Sequence, residues 1–579
     1  MKRIATALGL LVALLLPVVA HGGEVDEAQA LAQRLSPRLA AHVTFAQAPA
    51  EKADYFILES EGNRVKISGN NAGAMATGLN HYLKNYCRTT VSWYADVPVE
   101  LPDVLPTVAA REVVHARVPQ RFFLNYCTYG YTMVFWQWRD WERFIDWMAL
   151  NGVNLPLAIT GQESVWYEVW KKLGMKDEEI RAYFTGPAYL PWHRMANIDA
   201  WCGPLPKHWL DTQTALQKQI VARERALNMR PVLPAFAGHV PIRIQELYPK
   251  ADIKPLEVWD EFEKPYNTYF LDSEDPLYTK IQKLFIKEQT RLFGTDHIYG
   301  IDPFNEMSPP NWEPEYLGRV SKHIYQSLAA ADPKAEWLQM AWFLYYQRRD
   351  WIPERTRAMM QGVPAGKMTM LDYFCERMEV WRMHNGFYGQ PFIWCYLGNF
   401  GGSSAMQGNV LEAGQKLEKA FQEAGSDLVG VGSTLEGLDV QQFPYEYNLT
   451  RLGTTSSPTA WPWHASPSAM WVASRCPHAW HGGRWRRTCL CITPTHAGRS
   501  SISRRACARK PSGHATITII TPTTWCRPGS PCCSSPPSLA TPWCSISSPP
   551  DARRWDWLST RPSSASTRLI PIVTCRPCG

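Results

Sequence analysis

Beyond residue 450 the chain has no glutamate and only two acidic residues, Asp551 and Asp556, against 15 Arg and one Lys. The overall net charge of +7 therefore hides two populations. Residues 1–450 hold 44 basic against 51 acidic side chains, and the last 129 residues carry the positive excess. Ten of the 15 cysteines also fall in this tail, at irregular spacings such as Cys489/Cys491, Cys532-Cys533 and Cys575/Cys578. A nucleic-acid arm would favour Lys and avoid Cys and Trp. A disulfide framework would space its cysteines regularly. The mixture of Arg, Pro, Ser, Thr, Cys and Trp is what a GC-rich gene yields when read out of frame. The expectation is a frameshift near residue 451, and a low-order tail over 451–579 without amphipathic periodicity.

Other absences narrow the function. Neither an HxH nor an HExxH spacing occurs, so His193, His239 and His297 with Asp302 do not read as a metal site. No metal or other cofactor is expected, and no nucleic-acid partner. After the first 20 residues no segment reaches 18 uncharged apolar positions, which excludes a membrane span in the mature protein. The first 20 residues read differently. Lys2-Arg3 precedes an uncharged, mostly apolar run, Ile4–Ala20, that ends in Val18-Val19-Ala20. This is the layout of a secretory signal, so a secreted or periplasmic protein is expected.

Aromatics make up 12% of the chain, including 26 Trp. Such rings stack on sugars but also fill cores, so composition alone decides little. Order along the chain is more informative. Residues 24–112 read as a small α/β domain: a hairpin of Asp54–Leu58 and Arg64–Ser68, a helix Ala74–Tyr86, and a Pro-containing linker from Leu101 to Pro106. Over 113–450, apolar strands alternate with amphipathic helices. The strands are Phe122–Cys127, Val153–Ala158, Arg230–Ala235, His297–Ile301, Trp337–Trp342, Met368–Tyr373, Pro391–Leu397 and Leu428–Gly432. Trp141, Phe144, Ile145 and Met148 set one helical stripe, and Ile281, Leu284 and Phe285 another. Eight β-then-α units predict a (β/α)₈ TIM-type barrel, whose chemistry gathers where strands end.

Two glutamates hold that position. Glu306, in Asp302-Pro303-Phe304-Asn305-Glu306-Met307, follows the fourth strand, and Glu436, in Ser433-Thr434-Leu435-Glu436-Gly437, follows the eighth. A carboxyl pair at an aromatic-rich barrel mouth suits glycoside hydrolysis, where one group protonates the leaving oxygen and the other attacks. On this reading Glu306 is the acid/base, desolvated by Phe304 and Tyr299 and steered by Asn305. Glu436 is the nucleophile, ionised in a polar setting, with Gly432 and Gly437 admitting close backbone approach. Asp302, Glu163, Asp372 and Glu376 are competing strand-end acids. Cys127, Cys202, Cys375 and Cys395 could pair in an oxidising compartment or, for Cys127 and Cys395, line the pocket.

Several stretches resemble the α-N-acetylglucosaminidases of glycoside hydrolase family 89. They include Trp141–Gly152, Gly161-Gln162-Glu163, Phe184–Ala188, Pro231–Pro241, Phe293–Gly300, Phe304–Met307, Gln390–Cys395 and Asn399–Gly402. The resemblance runs over about residues 30–450. It implies a small N-terminal α/β domain, a catalytic barrel and an all-helical C-terminal domain. It also implies retaining cleavage of terminal, non-reducing α-linked N-acetylglucosamine, with Glu306 as acid/base and Glu436 as nucleophile. Such a pair stands roughly 5–5.5 Å apart. Asn125, Cys127, Trp342, His239 and Trp394 fall where the family lines its sugar pocket, and Asn305, beside Glu306, could bind the sugar's 2-substituent. Three features depart from the pattern. Leu157–Thr160 lacks a tryptophan common before Gly-Gln-Glu, Gly437–Gln442 matches only in part, and the tail stands in place of the helical domain. The expectation is an exported exo-glycosidase of doubtful activity in this form. The rivals are another retaining glycosidase on the same barrel, or a catalytically dead remnant that still binds sugar.

Overall fold

The computed structural model describes residues 23–94, 98–401, 403 and 410–451, and the backbone of short strands at 480–481, 484–485, 491–494 and 500–503. The N-terminal run expected to be a secretory signal and the rest of the tail lie outside the described residues. The tail strands pair antiparallel in two twos, Trp480–His481 with Arg484–Trp485 and Cys491–Pro494 with Ser500–Ser503.

The N-terminal unit is a four-stranded sheet with helices packed on it. Its strands are β1 (Val43–Gln47), β2 (Tyr55–Glu61), β3 (Arg64–Gly69) and β4 (Glu112–His115), in the order β1-β3-β2-β4. The predicted hairpin is β2 and β3. The Pro-containing stretch expected as a linker instead leads into β4, which pairs antiparallel with β2. Helix Ala72–Asn85 starts where the Asn71 side chain accepts the Ala74 N–H at 2.8 Å, satisfying a donor that the first turn leaves open.

The barrel strands are β5 (Gln120–Phe123), β6 (Leu155–Pro156), β7 (Leu233–Pro234), β10 (Ile298–Gly300), β11 (Glu336–Met340), β12 (Met368–Asp372), β13 (Phe392–Tyr396) and β14 (Leu428–Ser433). Between β7 and β10 a hairpin of β8 (Ile253–Pro255) and β9 (Tyr269–Leu271) interrupts the alternation. The sheet runs β6-β5-β14-β13-β12-β11-β10-β7, and a parallel bridge from Leu157 to Val232 closes it beside β6 and β7. Each of the eight overlaps an apolar run read from the sequence, though β5 begins two residues and β11 one residue before its run, and β14 ends one residue after. In this ring β10 and β14 are separated by three strands either way round, so they stand opposite each other.

Helix Trp138–Leu150 buries the predicted stripe and also Trp147, Ala149 and Leu150. It is covered on two sides, because Thr77 and Asn80 of the N-terminal helix hydrogen-bond to Ala149 and Asn151. Ionic contacts join the two units as well. Asp146 accepts from Arg34 at 2.7 and 2.8 Å and from Arg223 at 2.9 Å, and Arg223 also reaches Glu27 at 2.7 Å. Lys84 meets Glu446, on the last barrel helix Phe443–Thr450, at 3.4 Å. Among the described residues no helix is long and apolar enough to cross a membrane.

Candidate active site

Opposed strands bring their following loops together over the barrel mouth, and the loops after β10 and β14 carry Glu306 and Glu436. Cys127, after β5, feels the charge of both carboxylates, as does Tyr131. The two glutamates also feel each other, since Glu306 raises the pKa of Glu436. Side chains 130 positions apart in sequence therefore share one electrostatic environment.

Their immediate surroundings differ. Glu306 Oε1 accepts the Trp342 indole N–H at 2.8 Å. Its Oε2 accepts from the Trp259 indole at 2.8 Å and from Asn197 Nδ2 at 3.1 Å. Burial raises its pKa, the three N–H donors oppose the rise, and Asp260 adds to it. Among the described residues Glu436 accepts from the Gly401 N–H at 2.7 Å. Burial, with a contribution from Glu306, pushes its pKa up to about 7. Burial thus takes the place of the polar setting expected around Glu436 and favours its neutral form. Both carboxyls are thus held above the ordinary carboxylate range, so the pair keeps a proton to higher pH than free glutamates would.

The competing acids are engaged elsewhere. Glu163 is forked to Arg194, and Asp302 accepts from Gln339 at 2.9 Å. Asp372 accepts the Trp381 N–H, and Glu376 accepts the N–H groups of Leu397 and Gly398. Glu306 and Glu436 stand on loops from opposite strands, and the charge of both reaches Cys127 and Tyr131; Asp302 also feels the Glu306 charge from the same loop.

The predicted lining residues divide. Trp342 touches Glu306 directly, and Cys127 is buried beside both carboxylates, its thiol pushed up chiefly by burial. Asn305 is buried and donates to Asn197 Oδ1 at 3.5 Å. Asn125 lies at the right height, but its amide is used to tie loops together. Nδ2 donates to Thr434 O at 2.8 Å and Oδ1 accepts the Cys127 N–H. His239 bonds Pro303 O at 3.2 Å, and burial drives its pKa down to about 3, so the ring is neutral. Trp394 does not reach the site. It is fully buried in β13 and donates to Glu379 at 3.0 Å. It shares a strand face with Phe392, which stacks on Trp381 outside the barrel sheet.

Further corrections concern small groups. A Cβ on Gly432 would stand 2.6 Å from Phe122 O, so that glycine admits β5, whereas Gly437 has nothing closer than 3.6 Å. The close approach to Glu436 comes instead from Gly401, where a Cβ would lie 1.9 Å from the Tyr131 ring. Cys127, Cys202, Cys375 and Cys395 are free thiols. His193 pairs with Asp199 at 3.0 Å and His297 with Asp332 at 2.7 Å, at opposite ends of the barrel strands.

Sequence reasoning missed Asn197, Trp259 and Gly401. Trp259 carried a usable signal: an indole in the acidic, hydrophilic segment Glu257–Glu261 has no core to fill.

Comparison with known proteins adds relatives to this geometry. Residues 121–452 match the family described as the alpha-N-acetylglucosaminidase tim-barrel domain, and residues 26–107 match the corresponding N-terminal domain. The barrel match ends where the acid-poor tail begins. Human alpha-N-acetylglucosaminidase is 39% identical over 465 residues, covering 79% of this chain and 62% of the human protein. A family 89 glycoside hydrolase from Clostridium perfringens, in complex with 2-acetamido-1,2-dideoxynojirimycin, superposes with a TM-score of 0.69. It is 29% identical and covers 74% of this chain and 48% of that one. A form of that hydrolase with two glutamates changed to glutamine, in complex with its substrate GlcNAc-alpha-1,4-galactose, gives a TM-score of 0.68 at 28% identity, with the same coverage. The chain thus spans about half to two thirds of the length of these relatives.

Proposed function

The chain belongs to the alpha-N-acetylglucosaminidase family, and from that premise we propose that it hydrolyses terminal, non-reducing α-linked N-acetylglucosamine from a glycan, with retention of configuration. In the first step Glu306 gives its proton to the glycosidic oxygen while Glu436 attacks the anomeric carbon. The aglycone leaves with the proton, and the sugar stays as an ester on Glu436. In the second step Glu306, now a carboxylate, takes a proton from water. The resulting hydroxide equivalent attacks the same carbon and releases Glu436. Two inversions return the α configuration.

One observation carries the reading: two half-buried glutamates, on loops that follow opposite strands, feel each other's charge at the barrel mouth. With both pKa values raised and each charge opposing the other, such a pair favours the singly protonated form, one acid and one carboxylate, that the first step needs. The solved relative bound to GlcNAc-alpha-1,4-galactose supports the same sugar and linkage here.

The donor count favours a second reading, with the roles exchanged. Among the described residues three N–H groups on Glu306 stabilise its charged form, and the Gly401 N–H does so for Glu436. Azide distinguishes the two. With an activated aryl α-N-acetylglucosaminide, Glu306→Ala plus azide yields the α-glycosyl azide if Glu306 is the acid/base. The β-azide makes it the nucleophile. Turnover of a β-linked but not an α-linked aryl N-acetylglucosaminide defeats both assignments.

Two further proposals rest on the sequence. The run Ile4–Ala20 after Lys2-Arg3 supports export, to be checked by N-terminal sequencing of protein recovered outside the cytoplasm. The acid-poor tail supports lower activity than a chain whose last part is read in the alternate frame. Assay of a gene repaired near codon 451 tests that directly.

A further inference from the structure

We propose that Glu163 is a positioning residue for Glu306, acting through Arg194 and Asn197. The inference deepens the reading above and rests on Glu306 being a reacting carboxyl.

Glu163 lies in the first turn of helix Gln162–Lys172, just past β6, and is 1% exposed. Arg194 takes both its oxygens, Nε at 2.7 Å and Nη2 at 3.0 Å. A two-point fork of this kind fixes orientation as well as distance. It also leaves the carboxylate no free oxygen for proton transfer, so Glu163 is not itself an acid or base. Its buried charge has another use.

Arg194 is the last residue of the short helix Leu190–Arg194. The chain then reverses through Ala196, at φ +61°, and the Asn197 N–H returns to Trp192 O at 2.8 Å. An alanine in left-handed backbone persists only where its surroundings hold it. Here the turn is pinned at both ends, by Arg194 on Glu163 and by Asp199 on His193 at 3.0 Å. The turn delivers one amide to the site. Asn197 Nδ2 donates to Glu306 Oε2 at 3.1 Å, and its Oδ1 accepts from Asn305 at 3.5 Å. The amide cannot flip without losing both contacts. Glu163 thus sets Arg194, Arg194 sets the turn, and the turn sets a donor on the carboxyl.

The consequence is a readable change in Glu306. A donor to a carboxylate favours its charged form, so loosening Asn197 raises the pKa of Glu306. The titratable groups facing Glu306 are Asp302 on its own loop, Asp260 beside Trp259, Tyr346 after β11, and Cys127, Tyr131 and Glu436 across the mouth.

The test uses the full chain and two readouts. One is the pH dependence of binding of 2-acetamido-1,2-dideoxynojirimycin, followed by tryptophan fluorescence. The other is kcat and KM on an aryl α-N-acetylglucosaminide. Glu163→Gln should move the binding inflection of Glu306 upward by as much as Asn197→Ala does. It should lower kcat about tenfold with KM nearly unchanged. The double variant should be no worse than Asn197→Ala alone. Arg194→Lys, which keeps the charge but loses the fork, should shift the profile the same way. Additive losses in the double variant overturn the proposal. So does a native pH profile in Glu163→Gln or, if that variant does not fold, in Arg194→Lys. A native chain that neither binds the iminosugar nor turns over the glycoside overturns the functional reading and this inference with it. Binding with an additive cycle overturns the inference alone.

Discussion

The Glu436 carboxyl accepts the Gly401 N–H at 2.7 Å, and the Gly401 Cα lies against the Tyr131 ring with no room for a side chain. The contact therefore depends on glycine. Gly401→Ala would push its Cβ to 1.9 Å from the ring, so either the loop or Tyr131 must move. A shift of about 1 Å at a reacting carboxyl costs on the order of 100-fold in rate. The expected result is a kcat lowered by about that factor in a chain of unchanged melting temperature. A variant with native kcat would show that Gly401 does not hold Glu436.

On the proposed mechanism the alkaline limb of the activity profile belongs to the carboxyl pair. With the Glu436 pKa at about 7 and Glu306 also raised, the pair carries a proton below that range and loses it above. The general acid disappears with that proton, so kcat/KM falls as pH climbs past about 7, with an apparent pKa of the pair rather than of one residue. Trp342→Phe removes a donor from Glu306. An N–H donor favours the carboxylate, so its loss raises the pKa and should carry the alkaline limb upward by roughly half a unit to one unit. Profiles of kcat/KM for the two proteins check the sign. A limb that stays or moves down contradicts it.

Stability has its own titrating group. Glu224, in helix Lys207–Ala226, is fully buried with both oxygens unpartnered among the described residues, and burial holds its pKa far above the usual carboxylate range. The folded chain keeps this acid protonated while the unfolded chain ionises it near pH 4.5. Above that pH folding takes up a proton, so stability declines with rising pH by up to about 1.4 kcal/mol per unit. Glu224→Gln removes the uptake. Urea unfolding at pH 5 and pH 8 should show a smaller difference for the variant than for the native chain. Equal differences would mean that the buried carboxyl is ionised.

How far the site could be read from sequence depended on which rule placed each residue. Glu306 and Glu436 were legible because an apolar run followed by a polar loop marks a strand end, and the barrel brings strand ends together. Asn197 and Trp259 were not, since they arrive on long excursions after β6 and β7 whose route no periodicity encodes. Trp394 was misplaced for a different reason. Phe392–Tyr396 is apolar throughout, as a strand covered on both faces must be, so the face occupied by each side chain cannot be read from alternation. Asn125 was placed correctly at its strand end, but nothing in sequence foretold that Thr434 and Cys127 would use up its amide. Eight strands were readable one by one. The contacts of β4 and of the ion pairs between the two units were not, because each joins residues far apart in the chain.

Those distant contacts make the N-terminal unit part of the catalytic frame. Gln442 and Glu446, a few residues past Glu436, are held from residues 84–94. The Gln442 oxygen accepts the Trp93 N–H at 3.0 Å, its amide donates to Val91 O at 2.9 Å, and Tyr94 donates to Val440 O. Lys84 meets Glu446 at 3.4 Å, with both side chains less than a tenth exposed. Lys84→Met would remove the Lys84 charge from Glu446, which still accepts from Gln442 at 2.7 Å and Thr90 at 3.2 Å, a loss of up to roughly 3–5 kcal/mol. If the clamp served stability alone, the folded fraction of Lys84→Met would keep native kcat. Since the clamped segment continues directly from Glu436, kcat per folded molecule should fall as well, and Lys84→Met with Glu446→Leu should recover much of both. Thermal melts alongside active-site titration separate the two effects. Loss of stability with native kcat per active site would confine the N-terminal unit to holding the fold.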